Sequence, residues 1–292
     1  MGVRMLITGA GGQVGRFLAA VAPQHGYEVC ALGHRDFDIT DPAAARSQIR
    51  GGDLVVNCAA FTNVDAAEAE PETAHAVNAV GPGNLARACA EAGARLIHLS
   101  TDYVFSGDLR RPYEIFDPTG PLGVYGRTKL DGELAVHAEL PDAQVVRTSW
   151  VYTGGNGTDF VTVMRELAGT GRTIDVVSDQ TGAPTYAKDL VDALLQIAAG
   201  GVDAPILHVA NAGEASRFDQ ARAVFALVGA DPERVRPVGT DAVRRPARRP
   251  VYSALSMGES VSAGLRPLRP WRDALQAALA VPVGDTPIAP MP

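Results

Sequence analysis

The sequence predicts an α/β fold built on a doubly wound, mainly parallel sheet, with a smaller lobe from the C-terminal half. Three observations predict it. Residues 3–8, 28–32, 54–60, 95–100 and 144–150 are short apolar runs, several of them without alternation, as expected of strands covered on both faces. Helical patterns separate these runs. A glycine cluster, Gly9-Ala10-Gly11-Gly12-Gln13-Val14-Gly15, follows the first run directly and opens the first helix, the context of a Rossmann-type dinucleotide site.

The elements follow in order. Residues 14–25 carry the first helical pattern. Asp38 and Ile39 read as a third short strand, which makes 54–60 the fourth and 95–100 the fifth. Asp41-Pro42 reads as an N-cap followed by proline at the first helical position. Residues 76–92 form a long helix closed by Gly93, and 128–139 another closed by Pro141. Beyond Tyr152 the texture is less regular. A glycine-rich loop at 154–157 leads to a helix at 160–167, a strand at 173–177 and a helix at 188–199. A strand at 206–210, a helix at 217–228 and a last helix at 271–280 complete the pattern. Residues 241–249, rich in Arg and Pro, read as a loop, and the tail 281–292 as disordered. Residues 1–152 are expected to form the nucleotide-binding domain, with segments between 172 and 212 returning to it. Residues 153–292 are expected to form mainly a substrate lobe over the carboxyl edge of the sheet.

Composition narrows the function. A net charge of -7 argues against general nucleic-acid binding, which needs a basic face. No apolar run approaches the roughly eighteen residues of a membrane span. The start turns glycine-rich before an apolar stretch of useful length forms, so no secretory leader is expected. Cys30, Cys58 and Cys89 sit in apolar elements and read as reduced core residues of a cytoplasmic protein.

In the glycine cluster, Gly9, Gly12, Gln13, Val14 and Gly15 are candidate cofactor contacts. Glycine lets the backbone approach a pyrophosphate, whose charge then lies at a helix N-terminus. In NAD enzymes of this architecture an acid after the second strand holds the adenosine ribose. Here the strand ends Leu32-Gly33-His34-Arg35. A cation in that place suits a 2′-phosphate, so NADPH is the expected cofactor, with NADH also possible; the alternative is that His34 and Arg35 are plain loop residues. Asp38 and Ile39 are candidates for the adenine edge.

The chain contains two lysines, and one of them, Lys129, lies four residues after Tyr125. On a helix these positions share a face, so phenol and ammonium can stand together; a solvated helix pair is the plain alternative. Reducing a ketone needs a proton donor at the oxygen, and a tyrosine with an ordinary pKa of about 10 serves better beside a cation.

Further phrases accompany that pair. They are Ala59-Ala60-Phe61-Thr62, Ser100-Thr101-Asp102-Tyr103-Val104-Phe105, Arg147-Thr148-Ser149-Trp150, Asp179-Gln180 and the Arg-Pro phrase Arg249-Pro250. With the glycine loop, this order resembles the extended short-chain dehydrogenase/reductase family. Within it the phrases are closest to reductases acting on the 4-keto group of dTDP-4-dehydro-L-rhamnose. The resemblance implies NADPH-dependent reduction of that group on a nucleotide-sugar substrate. It implies that Tyr125 is the proton donor, that Lys129 binds the nicotinamide ribose and tunes Tyr125, and that Thr101 bonds the substrate carbonyl. It also implies cofactor contacts at Ala59, Ala60 and Phe61, and substrate contacts at Asp102, Trp150, Asp179, Gln180 and Arg249, the last near the diphosphate. Some members hold magnesium through acidic residues early in the first helix. Here that stretch is Arg16-Phe17, so no metal is expected, and the chain is expected to be a monomer or weak homodimer. Two other functions remain compatible with the fold. One is a non-catalytic, NADP-binding regulatory subunit of methionine adenosyltransferase, against which the Tyr125, Lys129 and Thr101 set argues. The other is a related nucleotide-sugar epimerase or reductase.

Overall fold

The computed structural model describes residues 2–155 and 157–281. The first half supplies β1 (Arg4–Thr8), β2 (Glu28–Leu32), β3 (Leu54–Asn57), β4 (Arg95–Thr101) and β5 (Gln144–Thr148). The helices are α1 (Gln13–Val21), α2 (Pro42–Gln48), α3 (Val64–Ala69), α4 (Pro71–His75), α5 (Gly81–Ala92) and α6 (Val124–Glu139), then α7 (Phe160–Ala168), α8 (Ala187–Ala198), α9 (Arg217–Leu227), α10 (Gly258–Ser262) and α11 (Trp271–Ala280). Ile206–His208 completes a six-stranded sheet, and the order across it is 206–208, β5, β4, β3, β1, β2, every pair parallel. The chain leaves β1 for β2 on one side and reaches β3 on the other. That reversal opens a crevice at the carboxyl end of β1, where this architecture binds ligands.

Both faces of the sheet are covered, which explains apolar runs without alternation. Met5 and Ile7 pack with Leu18 of α1 and with Leu190 and Leu194 of α8. Leu6 and Val55 point the other way, into Leu85 and Cys89 of α5 and Val136 of α6. Local chemistry sets the ends. The Asp41 side chain accepts from Ala43 N at 2.8 Å with Pro42 at the first helical position, opening α2. Gly93, at φ +71, closes α5.

Three expectations from the sequence need correction. Residues 38–39 are not a strand: the Asp38 carboxylate accepts from Thr40 N (2.9 Å) and Thr40 Oγ1 (2.7 Å), a local turn that competes with sheet pairing. Without a strand there, Leu54–Asn57 and Arg95–Thr101 are the third and fourth strands, and the runs at 54–60 and 144–150 stop at Asn57 and Thr148. The helix at 76–92 opens with a π turn, Ala76–Val80. Pro82 has no N–H to give the Asn78 carbonyl, and that carbonyl lies against α6, where a Cβ at Gly132 would meet it at 2.1 Å.

The second half divides its elements. α8 and Ile206–His208 join the main sheet and its core, whereas Ile174–Val177 pairs with Val235–Val238 in a separate parallel ribbon. α7, α9 and α11 pack beside that ribbon around Val161, Phe225, Trp271 and Leu275. Ser216 and Asp219 form a reciprocal capping box at the start of α9. All three cysteines are free, and no helix among the described residues is long and apolar enough to cross a membrane. The tail expected to be disordered lies, beyond Val281, outside the described residues.

Candidate active site

The glycine loop is shaped by close approach. Gly9 has φ +63, and a Cβ there would lie 2.5 Å from Ala59 N, so the loop touches the segment that follows β3. A Cβ at Gly15 would meet Gly9 O at 2.5 Å, and only glycine lets α1 pack this closely on the turn. Gly12 caps α1 without a side-chain bond, and the first turn carries no acid. The N–H groups of that end, and its positive dipole, therefore face outward, an arrangement that fits a pyrophosphate. Gln13 Nε2 donates to Asp159 Oδ2 (3.3 Å), tying the loop to the N-cap of α7, and Val14 packs on the core beneath.

After β2, Arg35 is exposed in a tight turn. The one carboxylate of that turn, Asp36, accepts from Gly33 N at 3.1 Å, which folds the acid back onto the backbone. Ile39 is buried, and its carbonyl accepts from Asn84 Nδ2 (3.2 Å). Asp38, held by Thr40, stays exposed with its carboxyl below the usual range. Ala59, Ala60 and Phe61 run along the crevice. Asn78 fixes them: its Oδ1 accepts from Phe61 N (2.8 Å), while its Nδ2 donates to Phe61 O (3.1 Å) and to Thr128 Oγ1 on α6 (3.1 Å). Asn78 escaped the sequence reading because its partners lie 17 and 50 positions away.

At the carboxyl end of β4, Thr101 is buried and its hydroxyl caps the turn by accepting from Tyr103 N (3.2 Å). Asp102 is a hub. Its carboxylate accepts from Thr101 Oγ1 (3.1 Å), Ser149 Oγ (3.0 Å) and Ser253 Oγ (2.6 Å), and burial still pushes its pKa up to about 6. Tyr125, in the first turn of α6, packs edge-on against Tyr103 with ring centroids 5.9 Å apart. Burial pushes the Tyr125 phenol above its usual pKa, and the Thr101 hydroxyl acts in the opposite sense. A small cavity beside the phenol is lined by Val64, Tyr103, Gly126 and Arg248.

Lys129 is turned inward. Its amine donates to Leu99 O at 2.6 Å and lies 3.5 Å from His98 Nε2, and burial pulls its pKa down to about 8. The amine therefore rests on β4, and no hydrogen bond joins it to the Tyr125 phenol among the described residues.

The lobe side differs more from expectation. Trp150 follows β5 with φ +47, a conformation non-glycine residues adopt under constraint. Its indole lies over Gly182, where a Cβ would meet it at 2.4 Å, and the Arg217 guanidinium sits 3.6 Å above the ring. The indole N–H is buried with no partner among the described residues. Arg217 donates to Gln220 Oε1 (3.1 Å), and burial pulls its pKa down to about 10. It neighbours Tyr103 and Asp102 and makes no ion pair among the described residues. The sequence offered no signal for it beyond one arginine at a helix start. Arg249, expected near the diphosphate, is clamped to Asp65 by two bonds of 2.5 and 2.8 Å. Asp179 accepts from Thr240 N (2.8 Å) and Thr240 Oγ1 (2.7 Å), and Gln180 Nε2 donates to Thr240 Oγ1 (2.9 Å), so both acid and amide hold the lobe's own loop.

The carboxyl edge of one sheet thus brings together the glycine loop, Thr101, Asp102, Tyr125 and Trp150. Similar chains share the whole framework. A protein from Mycolicibacterium smegmatis named dTDP-4-dehydrorhamnose reductase is 62% identical over 293 residues, covering 100% of this chain and 90% of the relative. One of the same name from Mycobacterium tuberculosis is 58% identical, covering 98% of this chain and 95% of the relative. The crystal structure of a Bacillus anthracis dTDP-4-dehydrorhamnose reductase in complex with NADP superposes with a TM-score of 0.90 at 34% identity, covering 95% of this chain and 98% of that one. The family model described as RmlD substrate binding domain matches residues 3–282, and the chain belongs to that family.

Proposed function

We propose that this chain is an NADPH-dependent reductase that converts the 4-keto group of dTDP-4-dehydro-β-L-rhamnose into the alcohol of dTDP-L-rhamnose, acting in the cytoplasm as a monomer or weak homodimer. The observation that carries the reading is the Tyr125 ring, packed edge-on against Tyr103 just past Thr101, at the sheet edge that also carries the glycine loop. The glycine cradle, which any Cβ at positions 9 or 15 would fill, fits a dinucleotide pyrophosphate. Bound there, NADPH supplies the hydride for the carbonyl carbon. Thr101 and Tyr125 hold the substrate oxygen, and Tyr125 gives it the proton. Lys129 and the Ala59–Phe61 segment would hold the nicotinamide ribose. The test follows nicotinamide absorbance while the 4-keto sugar nucleotide made from dTDP-glucose is offered. No loss of NADPH with active precursor enzymes present sinks the reading.

Two further expectations belong here. Arg35 is exposed and free to meet a 2′-phosphate, so Arg35→Ala should raise the KM for NADPH about tenfold, or about 1.4 kcal/mol, and leave that for NADH unchanged. Steady-state kinetics with both cofactors check it, and equal effects on the two would remove Arg35 from the phosphate. Arg217 is a half-buried cation stacked on the Trp150 ring, without an ion pair among the described residues. Arg217→Met keeps the packing on Trp150 and removes the charge. The KM for the sugar nucleotide should rise about 10–100-fold, in line with about 1.5–3 kcal/mol for a hydrogen bond to a charged group, with a smaller change in kcat. An unchanged KM would assign Arg217 to packing alone.

A further inference from the structure

His98 lies on β4, fully buried, and plays no part in the chemistry above. Its surroundings decide which ring nitrogen carries the proton. Asn57 Oδ1 accepts two donors, Thr8 Oγ1 at 2.6 Å and the backbone N–H of Ala59 at 3.1 Å. A backbone N–H can only donate, so the Asn57 amide cannot be reversed without facing its NH2 toward that N–H. Its Nδ2 therefore donates to His98 Nδ1, 2.9 Å away. Burial and the nearby Lys129 hold the imidazole far below its usual pKa, so the ring is neutral and its one proton is on Nε2. That N–H points at the Lys129 amine, 3.5 Å away.

The two protonation states of Lys129 meet this N–H differently. An ammonium has three N–H groups and no acceptor, so it faces His98 donor to donor. A neutral amine gives one N–H to Leu99 O and offers its lone pair to His98 Nε2–H, satisfying both. We infer that His98 is a positioning residue for Lys129: the Thr8–Asn57–His98 chain holds an N–H against the amine and weakens its grip on a proton. This rests on the proposed reductase reading only for its consequence. An ammonium at Lys129 is the cation that can support the phenolate left when Tyr125 gives up its proton, so His98 sets the alkaline limit of turnover.

Other groups facing this pair do not replace His98 in that role. Cys58, beside Lys129 after β3, has its pKa pushed up to about 12 by burial and is a neutral thiol. Glu133, one turn further along α6, favours the ammonium but is bound to Arg147. His137, also on α6, lies against Ala143 O at 3.2 Å. The burial of Lys129 acts in the same direction as His98, so the two contributions must be separated by substitution.

The chain's two lysines make this direct. In full-length protein grown with 13Cε-lysine there are two side-chain signals, and Lys188→Arg, on the surface of α8 and paired with Asp192, identifies Lys129 by elimination. His98→Met, which fills similar volume and donates nothing, should raise the Lys129 titration midpoint by about one pH unit or more, a roughly tenfold gain in proton affinity. The alkaline limb of kcat/KM should move with it. An unchanged midpoint overturns the inference. Should His98→Met fail to fold, 15N-histidine spectra of the unmodified chain decide: a proton on Nε2 of His98 supports the inference, and a proton on Nδ1 overturns it. Neither spectroscopic result depends on turnover, so absent reductase activity would count against the proposed function alone.

Discussion

Tyr125→Phe should reduce turnover by about 10²–10⁴-fold while leaving NADPH binding almost unchanged. The reduction places a hydride on carbon and needs a proton at oxygen, since an alkoxide formed without one is a poor product in a buried site. Tyr125 is protonated throughout the neutral range, because burial raises its pKa and the Thr101 hydroxyl only partly offsets that. It can therefore act as an acid without first having to load a proton. The phenolate it becomes needs a counter-charge, which the proposed mechanism assigns to Lys129, four residues further along α6. Removing one oxygen leaves the ring stacked edge-on with Tyr103, so the site keeps its shape and the variant reports chemistry. Single-turnover rates and cofactor titration separate the two effects. If Tyr125→Phe reduces the sugar nucleotide at the unmodified rate, another group is the acid and the assignment is wrong.

How much of this was legible in the sequence depends on the distance over which each feature is determined. The glycine loop, the five strands of the first half and the Tyr125-x-x-x-Lys129 spacing are local, and periodicity, caps and turn chemistry state them directly. The false third strand at Asp38–Ile39 came from ignoring a local rule: an Asp two residues before a Thr can close its own turn. The fate of Arg249 was not local. Its partner Asp65 is 184 positions away, and nothing in the phrase Arg249-Pro250 tells whether the guanidinium meets a diphosphate or a carboxylate. The same holds for Arg217, which reaches Trp150 only because α9 starts beside Gly182, through the pairing of Ala215 with Gly182. The i to i+4 relation correctly put Tyr125 and Lys129 on one helix face, yet it could not show that Lys129 would turn down to Leu99 O. That outcome belongs to β4, which contributes both the carbonyl and His98.

Glu133→Gln should destabilise the chain by about 3–5 kcal/mol, the cost of leaving one partner of a buried ion pair alone. Glu133 and Arg147 are both almost completely inaccessible, and the carboxylate accepts three guanidinium bonds of 2.7 to 3.2 Å plus Ser100 Oγ at 2.5 Å. Arg147 also donates to Ile115 O (3.2 Å) and lies 5.1 Å from the Phe105 ring centre, so no water reaches in to replace a lost carboxylate. A glutamine can take some of these bonds but not the charge. The pair does more than hold two elements together. Glu133 sits one turn beyond Lys129 on α6, and Arg147 lies on β5, three residues before Trp150, so the bridge fixes the helix bearing Tyr125 and Lys129 against the strand that leads to Trp150 and, through Ser100, against β4. Replacing both partners by apolar residues of similar size, Glu133→Leu with Arg147→Met, should therefore cost less stability than Glu133→Gln alone, because no buried charge is stranded. Its turnover should nevertheless fall, since an apolar contact tolerates sliding of α6 that a bidentate pair does not. Denaturant unfolding of the three proteins gives the stability order, and a single variant that loses less than about 1 kcal/mol would mean that Arg147 finds another partner.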